Sequence, residues 1–211
     1  YHDHNFVTLH ERRTEHLADL APAANGRRQA RARMHKVRAG RVVLATGTHE
    51  RPLVYARNDV PGNMVAGAVS TYVRRYGVVP GQRLVLSTTN DHAYRAALDW
   101  HDAGRQVVAI VDARERPDGD LVAAARARNI RIITGSAVIE AQGKKRVTAA
   151  VVAAIDIDGF RVKGSTSELA CDTIASSGGY SPVVHLAAHT GRRPVWREDL
   201  LGFVSGGVPG Q

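Results

Sequence analysis

Apolar residues recur along the chain in short runs that predict buried strands. The runs are rich in Val, Ile and Leu and are bounded by polar or Gly-containing turns, which is typical of strands covered on both faces of a parallel sheet. They occupy residues 42–45, 83–88, 106–112, 130–136 and 171–177. Sheets of this kind are found in α/β proteins, so the pattern indicates that class.

Helices are predicted between several of these runs. Apolar residues repeat every three or four positions over 64–76, 91–104 and 121–129, and Gly77 and Gly104 end the first two segments. Residues 83–136 therefore follow a β-α-β-α-β order, which is half of a doubly wound sheet.

Alternating polar and apolar residues predict two further groups of strands. Residues 33–38 alternate and lead through a turn at 39–40 into the run at 42–45, which indicates a hairpin feeding a core strand. Short alternating segments separated by Gly breaks predict a small antiparallel meander over residues 137–143, 146–157 and 160–166.

Two of the predicted strands end in the same way. Residues 42–47 and 171–179 both pass through a small polar residue into glycine, and they enclose the β-α-β-α-β unit. We therefore expect these strands to be neighbours in one sheet, with Val43 and Ile174 both buried. The predicted architecture is a Rossmann-like, doubly wound dinucleotide-binding fold that is split by an inserted second Rossmann-like domain carrying the meander.

Domain boundaries follow from that architecture. Residues 1–80 would form the first part of the split dinucleotide-binding domain, 81–163 the inserted domain, and 164–211 the return to the split domain. The G-x-G-x-x-G turn that places helix amides on a pyrophosphate is absent from the sequence. We expect this turn upstream of Tyr1, which would make the chain a fragment of a longer protein.

The inserted domain has a degenerate glycine loop. The turn after its first strand reads STTNDHAYR and contains no glycine, although glycine permits the close approach of a pyrophosphate. Asp91 is expected to cap the following helix. Asp112 stands where a ribose-binding acid would be, but the more frequent role of an Asp at a strand end is to cap a turn. We expect that this domain no longer binds a nucleotide.

Composition limits the remaining classes of protein. The chain is 44% hydrophobic and 23% charged, which is ordinary for a soluble globular protein. It has no apolar run of about 18 residues and no signal-peptide pattern at Tyr1, so we expect a cytoplasmic protein without membrane association. The single cysteine, Cys171, lies in an apolar strand and is expected to pack as a small hydrophobic residue.

The net charge of +9 raises the question of nucleic-acid binding. Residues 27–41 are densely basic and contain no acid. No aromatic residue is interleaved for base stacking, and no zinc, helix-turn-helix or RRM pattern accompanies the segment, so we expect no nucleic-acid partner. A solvated hairpin face is the first interpretation, and a surface for an anionic partner is the alternative.

Other candidate sites are weak. His2 and His4 have a spacing that metal sites use, but no third ligand is near in sequence. The loop His49-Glu50-Arg51 is expected to hydrogen-bond its own turn, with Arg51 paired to Glu50 or to a neighbouring subunit. The sequence has no nucleophile elbow, P-loop or HExxH motif. We assign no catalytic residue and no metal ligand.

Three segments together resemble a known family. The segments ATGTHERPLVY, STTNDHAYRAALD and SSGGYSPVVHL are similar to the alpha subunit of heterotetrameric sarcosine oxidase, within the pyridine nucleotide-disulphide oxidoreductase superfamily of flavoproteins with two dinucleotide-binding domains. The resemblance covers nearly the whole chain. The inserted helix and the meander match least distinctly.

The resemblance implies a function and a site. In that family the complex oxidatively demethylates sarcosine to glycine, producing hydrogen peroxide and, with tetrahydrofolate, methylenetetrahydrofolate. This segment would bind NAD, FAD and FMN would lie elsewhere in the complex, and the partners would be the other subunits, chiefly beta. The residues expected to face the dinucleotide are Ala45, Thr46, Gly47, Gly178 and Gly179. Thr48 and Tyr180 depart from the expected pattern, where a smaller residue and Trp are common.

Three alternatives stay open. The chain could belong to an FAD- and NAD(P)H-dependent oxidoreductase, although the loop STTNDH argues against a second nucleotide site. It could belong to an alpha-type subunit of an opine or proline dehydrogenase, because these share the same plan. It could also be a non-catalytic scaffold module that uses its basic segment.

Overall fold

The chain folds into two compact units. A computed structural model describes residues 6–14 and 30–207. Unit 1 comprises residues 1–48 and 182–211, and unit 2 comprises residues 49–181. The predicted domain boundaries at 80/81 and 163/164 stay a prediction. The boundaries between the two compact units lie at 48/49 and at 181/182.

Strands and helices alternate over residues 63–133, and strands predominate in the rest of the described chain. The strands are β1 (Phe6–Arg12), β2 (Ala32–Arg38), β3 (Thr48–Glu50), β4 (Asn63–Val65), β5 (Arg83–Thr88), β6 (Gln106–Asp112), β7 (Ile132–Ile133), β8 (Ser136–Gln142), β9 (Ala149–Ala154), β10 (Ser167–Ala170), β11 (Thr173–Ser177), β12 (Tyr180–Pro182), β13 (Pro194–Arg197) and β14 (Gly202–Ser205). The α-helices are α1 (Ala66–Tyr76), α2 (Tyr94–Asp102), α3 (Asp120–Ala127) and α4 (His185–Ala188).

Unit 2 is built on a five-stranded sheet with the order β4-β11-β5-β6-β7. Every pairing in this sheet is parallel. The segments β5-α2-β6-α3-β7 form the predicted β-α-β-α-β unit, and helices connect the parallel strands as they must. The predicted α/β class with a parallel sheet is therefore confirmed.

Side chains alternate between the two faces of this sheet and form two apolar layers. Leu84, Leu86 and Ile110 pack with the helices, around the buried Trp100 of α2. The residues at the intervening strand positions, such as Val85, point to the other face and pack against the meander. Both faces are covered, which explains why the strands are apolar throughout.

The predicted neighbour relation between residues 42–45 and β11 is wrong. Residues 42–45 form no strand, and the Val43 side chain is 89% exposed. Ile174 of β11 is fully buried and lies between β4 and β5. Both edges of β11 are thus occupied by strands of unit 2, which leaves no edge for residues 42–45.

The meander is confirmed as a three-stranded antiparallel sheet, with one strand displaced. Its order is β10-β9-β8, and the third strand is β10 rather than residues 160–166. The residues after β9 turn around Asp156, whose carboxylate accepts backbone N–H groups of Asp158 and Phe160 at 3.1 and 2.8 Å. The side chain of Asp156 therefore favours a turn where the alternating pattern predicted a strand.

The described residues of unit 1 form two antiparallel strand pairs. The predicted strand at 33–38 is confirmed as β2, and it pairs with β1 from Phe6↔Arg38 to Arg12↔Ala32. Strands β13 and β14 form the second pair, with the Trp196 and Phe203 rings 5.2 Å apart. None of the helices within residues 6–14 and 30–207 has the length and apolar character needed to cross a membrane.

Candidate functional site

In unit 2, the carboxyl ends of β5, β6 and β11 lie at one edge of the parallel sheet. Open parallel sheets bind nucleotides outside this edge, at the point where the strand order reverses. Here that point lies between β5 and β11, because β5 leads through α2 to β6 on one side while β11 pairs on the other. The edge is therefore the first place to look for a cofactor site.

The turn after β5 is filled by its own hydrogen bonds. The Thr88 hydroxyl donates to the Asn90 carbonyl at 2.9 Å, and the Asn90 N–H donates to the Thr88 hydroxyl at 3.0 Å. The Asn90 amide group donates to the Ser177 hydroxyl at 3.1 Å, and the Thr89 N–H donates to the Ser177 carbonyl at 3.2 Å. These contacts tie β5 to β11 across the position that a pyrophosphate would occupy.

The cap at this turn is Asn90, which caps the single 3₁₀ turn Asp91–Ala93 that leads into α2, and the prediction of Asp91 was wrong. Asn90 Oδ1 accepts the N–H of Ala93 at 3.2 Å. Asp91 instead forms an ion pair with Arg114 at 2.7 Å. Asn is as good an N-cap as Asp, so the sequence alone did not separate the two candidates.

Asp112 is enclosed in a polar network and is fully buried. Its carboxylate accepts the Tyr94 hydroxyl at 2.8 Å and the Arg114 Nη2 and Nε groups at 2.8 and 3.0 Å. It also accepts the Arg114 backbone N–H at 2.9 Å, which makes it the predicted turn cap. The hydrogen bonds that the Arg114 guanidinium donates to the Asp112 carboxylate raise the pKa of Arg114 above its usual range. The carboxylate therefore already accepts hydrogen bonds from groups within the protein.

Gly178 and Gly179 follow β11 and contact residue Arg51 of the same unit. The Gly178 N–H donates to the Arg51 carbonyl at 2.6 Å, and the Arg51 N–H donates to the Gly179 carbonyl at 2.9 Å. Gly179 has a φ of +93°, and a Cβ there would lie 3.1 Å from the Arg51 guanidinium. These glycines therefore serve a close backbone pairing within unit 2.

The segment His49-Glu50-Arg51, predicted as a loop, contains the end of β3 and bonds beyond its own turn. Glu50 Oε2 accepts the N–H of Gly67 in the first turn of α1 at 2.7 Å. This carboxylate replaces a side-chain cap, because the N-cap residue Val65 provides none. A negative charge here also favours the helix dipole. Within unit 2, Glu50 thus holds the start of α1.

In unit 1, the segment that contains Ala45, Thr46 and Gly47 packs beside the start of the returning chain. The Thr46 hydroxyl donates to the Val183 carbonyl at 2.8 Å, and the Val183 N–H donates to the Gly47 carbonyl at 3.0 Å. Gly47 has a φ of +69°, which disfavours a side chain, although a Cβ would meet open space. The glycine is therefore required by the bend rather than by crowding.

A cavity of about 540 Å³ opens beside Thr46 within unit 1. Its volume is in the range of small-molecule sites, which is about 300–1,000 Å³. Apolar side chains line most of it, and among the described lining residues there is no carboxylate. The lining residues are Val42, Leu44, Thr46, Pro182, Val183, Val184, Ala187, Thr190, Arg192 and Ser205.

The predicted cofactor residues are thus divided between two units. Thr46 lines the cavity in unit 1, and Ala45 and Gly47 flank it in sequence. Gly178 and Gly179 belong to unit 2. The sequence reasoning missed the other cavity residues. Only the two glycines of the segment SSGGYSPVVHL were expected at the site, and the residues from Pro182 onward meet Thr46 only in the fold.

The remaining predictions concern Cys171, the basic segment and the first histidines. Cys171 is buried, and burial raises the pKa of its thiol to about 12, as expected for a small hydrophobic residue. Lys36 and Arg38 on β2 are exposed. His2 and His4, and residues 27–29 of the basic segment, lie outside the described residues.

Sequence comparison shows relatives over most of the chain. The sarcosine oxidase alpha subunit of Corynebacterium sp. (strain P-1) is 38% identical over 203 residues, which is 96% of this chain and 20% of that protein. The alpha subunit of the sarcosine oxidase of Rhizobium meliloti (strain 1021) is 39% identical over 175 residues, which is 83% of this chain and 16% of that protein. The chain is therefore a homologue of one segment of the sarcosine oxidase alpha subunits, and it spans about a fifth of their length or less. No family model matches the chain.

Comparison with solved structures shows the fold. The thioredoxin reductase of T. acidophilum has a TM-score of 0.57 at 16% identity, with 79% of this chain and 53% of that chain covered. The L-proline dehydrogenase of P. horikoshii has a TM-score of 0.53 at 17% identity, with 83% and 28% covered. The fold is thus shared with oxidoreductases of the Rossmann type.

Proposed function

We propose that the chain is the NAD-binding segment of an alpha-type subunit in a sarcosine-oxidising complex. The complex would remove two electrons from the methyl group of sarcosine and pass them to dioxygen. The products would be glycine, hydrogen peroxide and, with tetrahydrofolate, methylenetetrahydrofolate. FAD, FMN and the catalytic groups would lie in other parts of the complex, including the beta subunit. This segment would contribute a nucleotide site and structural support.

The cavity beside Thr46 is the observation that carries the proposal. Apolar walls suit the flat rings of a dinucleotide, and the absence of carboxylates among the described lining residues avoids repulsion of its phosphates. Ala45, Thr46 and Gly47 would contact the nucleotide, and Gly178 and Gly179 stay candidates from the resemblance. Cofactor chemistry such as hydride transfer would be supplied by the nucleotide itself.

The edge of the sheet in unit 2 argues against a second nucleotide. The turn after β5 bonds to itself and to β11, and Asp112 is buried among internal donors. An FAD- and NAD(P)H-dependent reductase would need a working site at this edge. The reductase alternative is therefore disfavoured relative to the oxidase subunit.

A related amine substrate is the second candidate. An opine oxidase subunit of Agrobacterium tumefaciens (strain Ach5) is 35% identical over 86 residues, which is 41% of this chain and 17% of that protein. This match supports an alpha-type subunit that serves an opine. It covers less of the chain than the sarcosine oxidase relatives do, so sarcosine is preferred.

The test uses the full-length subunit purified with its partners. Nucleotides released by denaturation are identified by mass spectrometry, and peroxide production is measured with sarcosine, an opine and proline. The proposal expects NAD among the released nucleotides and the highest rate with sarcosine. A complex without NAD would overturn the nucleotide assignment, and a preference for an opine or proline would overturn the substrate assignment.

A further inference from the structure

The cavity of unit 1 has a single charged lining residue within the described part of the chain, Arg192. Two of its hydroxyl groups are already used as donors. Thr46 donates to the Val183 carbonyl at 2.8 Å, and Thr190 donates to the Ala187 carbonyl at 2.7 Å. The guanidinium of Arg192 is therefore the main source of further hydrogen-bond donors in the cavity.

The backbone around Arg192 is held by a turn that follows α4. The N–H of Thr190 donates to the Ala187 carbonyl at 3.1 Å, and the N–H of Gly191 donates to the Ala188 carbonyl at 3.0 Å. Arg192 comes directly after this turn and is exposed. Its side chain thus lines the cavity from a fixed backbone position and remains open to solvent.

We propose that Arg192 determines which ligands the cavity takes, by binding a phosphate group of the nucleotide. The inference rests on the proposed function, since it assigns a residue to the same site. The planar guanidinium offers paired donors that match phosphate oxygens, and no carboxylate of the described lining competes for it. A phosphorylated nucleotide should therefore bind, while the corresponding nucleoside should bind far more weakly.

Neighbouring arginines provide contrasts. Arg197, on β13, forms an ion pair with Asp199 at 2.6 Å, so its guanidinium already has an anionic partner. Arg193 is adjacent in sequence and also exposed, but it does not line the cavity. Arg193 is thus a matched control for charge, exposure and position in the chain.

The experiment measures ligand binding by calorimetry. The full-length subunit with its partners is freed of nucleotide and titrated with NAD and with adenosine, as wild type and as Arg192→Ala, Arg192→Lys and Arg193→Ala. Losing a charge-assisted phosphate contact should weaken NAD binding about tenfold in Arg192→Ala. Arg192→Lys should recover part of this loss, Arg193→Ala should bind NAD like wild type, and adenosine binding should be the same in all four.

The outcomes separate the inference from the proposed function. Wild-type protein that binds no NAD would overturn the proposed nucleotide site itself. Wild-type protein that binds NAD, together with an Arg192→Ala variant of equal affinity, would overturn only the role of Arg192. An equal loss of NAD and adenosine binding in Arg192→Ala would also overturn it, since the cavity rather than the phosphate contact would then be affected.

Discussion

The sheet edge in unit 2 and the cavity in unit 1 are the two candidate nucleotide sites, and they differ in how their polar groups are used. At the edge, Asn90 and Asp112 are bound by neighbouring side chains and backbone. In the cavity, the walls are apolar and the guanidinium of Arg192 faces no carboxylate of the described lining.

The difference shows that position in a fold does not decide binding by itself. A polar group at a sheet edge can bind a ligand only if it has no hydrogen-bond partner within the protein. Most buried polar groups in folded proteins do have such a partner. The following predictions test whether the edge is structural and the cavity functional.

The largest expected effect is on the buried network at the edge. Asp112→Ala should lower the free energy of unfolding by about 3 kcal/mol, because the Tyr94 hydroxyl and the Arg114 guanidinium lose their buried acceptor. Urea denaturation of the wild type and the variant measures the loss. Asp102→Ala removes an acid that is 53% exposed and should lose only a small fraction of this stability. Equal losses in the two variants would contradict a structural role for the edge.

The second prediction separates the two candidate sites directly. Ala187→Trp should fill the cavity of unit 1 and weaken NAD binding by roughly thirtyfold, about 2 kcal/mol. Thr89→Trp adds the same side chain at an exposed position of the edge in unit 2 and should leave NAD affinity unchanged. Calorimetric titration of both variants is the measurement. If only Thr89→Trp lost NAD binding, the nucleotide site would be the edge in unit 2 and not the cavity in unit 1.

The third prediction concerns how the folding stability depends on pH, because unit 2 buries two groups that ionise at alkaline pH. Burial raises the pKa of Cys171 from 9.0 to about 12 and that of Tyr55 from 10.0 to about 12. Above pH 9 the unfolded chain loses these protons first, so the folded state binds more protons and stability falls as pH rises. The loss should reach about 2 kcal/mol between pH 8 and 10.

The test of that prediction is urea denaturation across the alkaline range. A double variant, Cys171→Ala with Tyr55→Phe, should remove most of the dependence, because neither replacement can ionise. Tyr94, whose pKa is also raised by burial, accounts for the remainder. Constant stability of the wild type up to pH 10.5 would contradict the burial of these groups.

The smallest expected effect distinguishes the two candidate helix caps. Asn90→Ala should lower stability by about 1 kcal/mol, since the N–H of Ala93 loses its acceptor. Asp91→Ala should cost less, because its partly exposed ion pair with Arg114 is worth little. Thermal denaturation of the two variants gives the order, and a larger loss in Asp91→Ala would restore the cap predicted from the sequence.

The sequence by itself determined the helices and most of the parallel strands of unit 2. Runs such as 83–88 and 106–112 became parallel strands because their apolar residues can be buried on both faces, and the periodic segment at 64–76 gave α1. The lack of glycine after β5 also indicated a turn that does not suit a pyrophosphate. Local pattern was sufficient wherever neighbouring elements in the chain are neighbours in space.

Tertiary structure decided the rest. Residues 42–47 and 171–179 share one pattern, yet only the second contains a strand in a sheet, because β4 and β5 occupy both edges of β11. The choice of Asn90 over Asp91 as cap depended on Arg114, which attracts the acid from another element. Arg192 carries no motif and enters the cavity only because the chain returns to Thr46 after residue 181. Such pairings depend on contacts between distant residues, and a local pattern does not encode them.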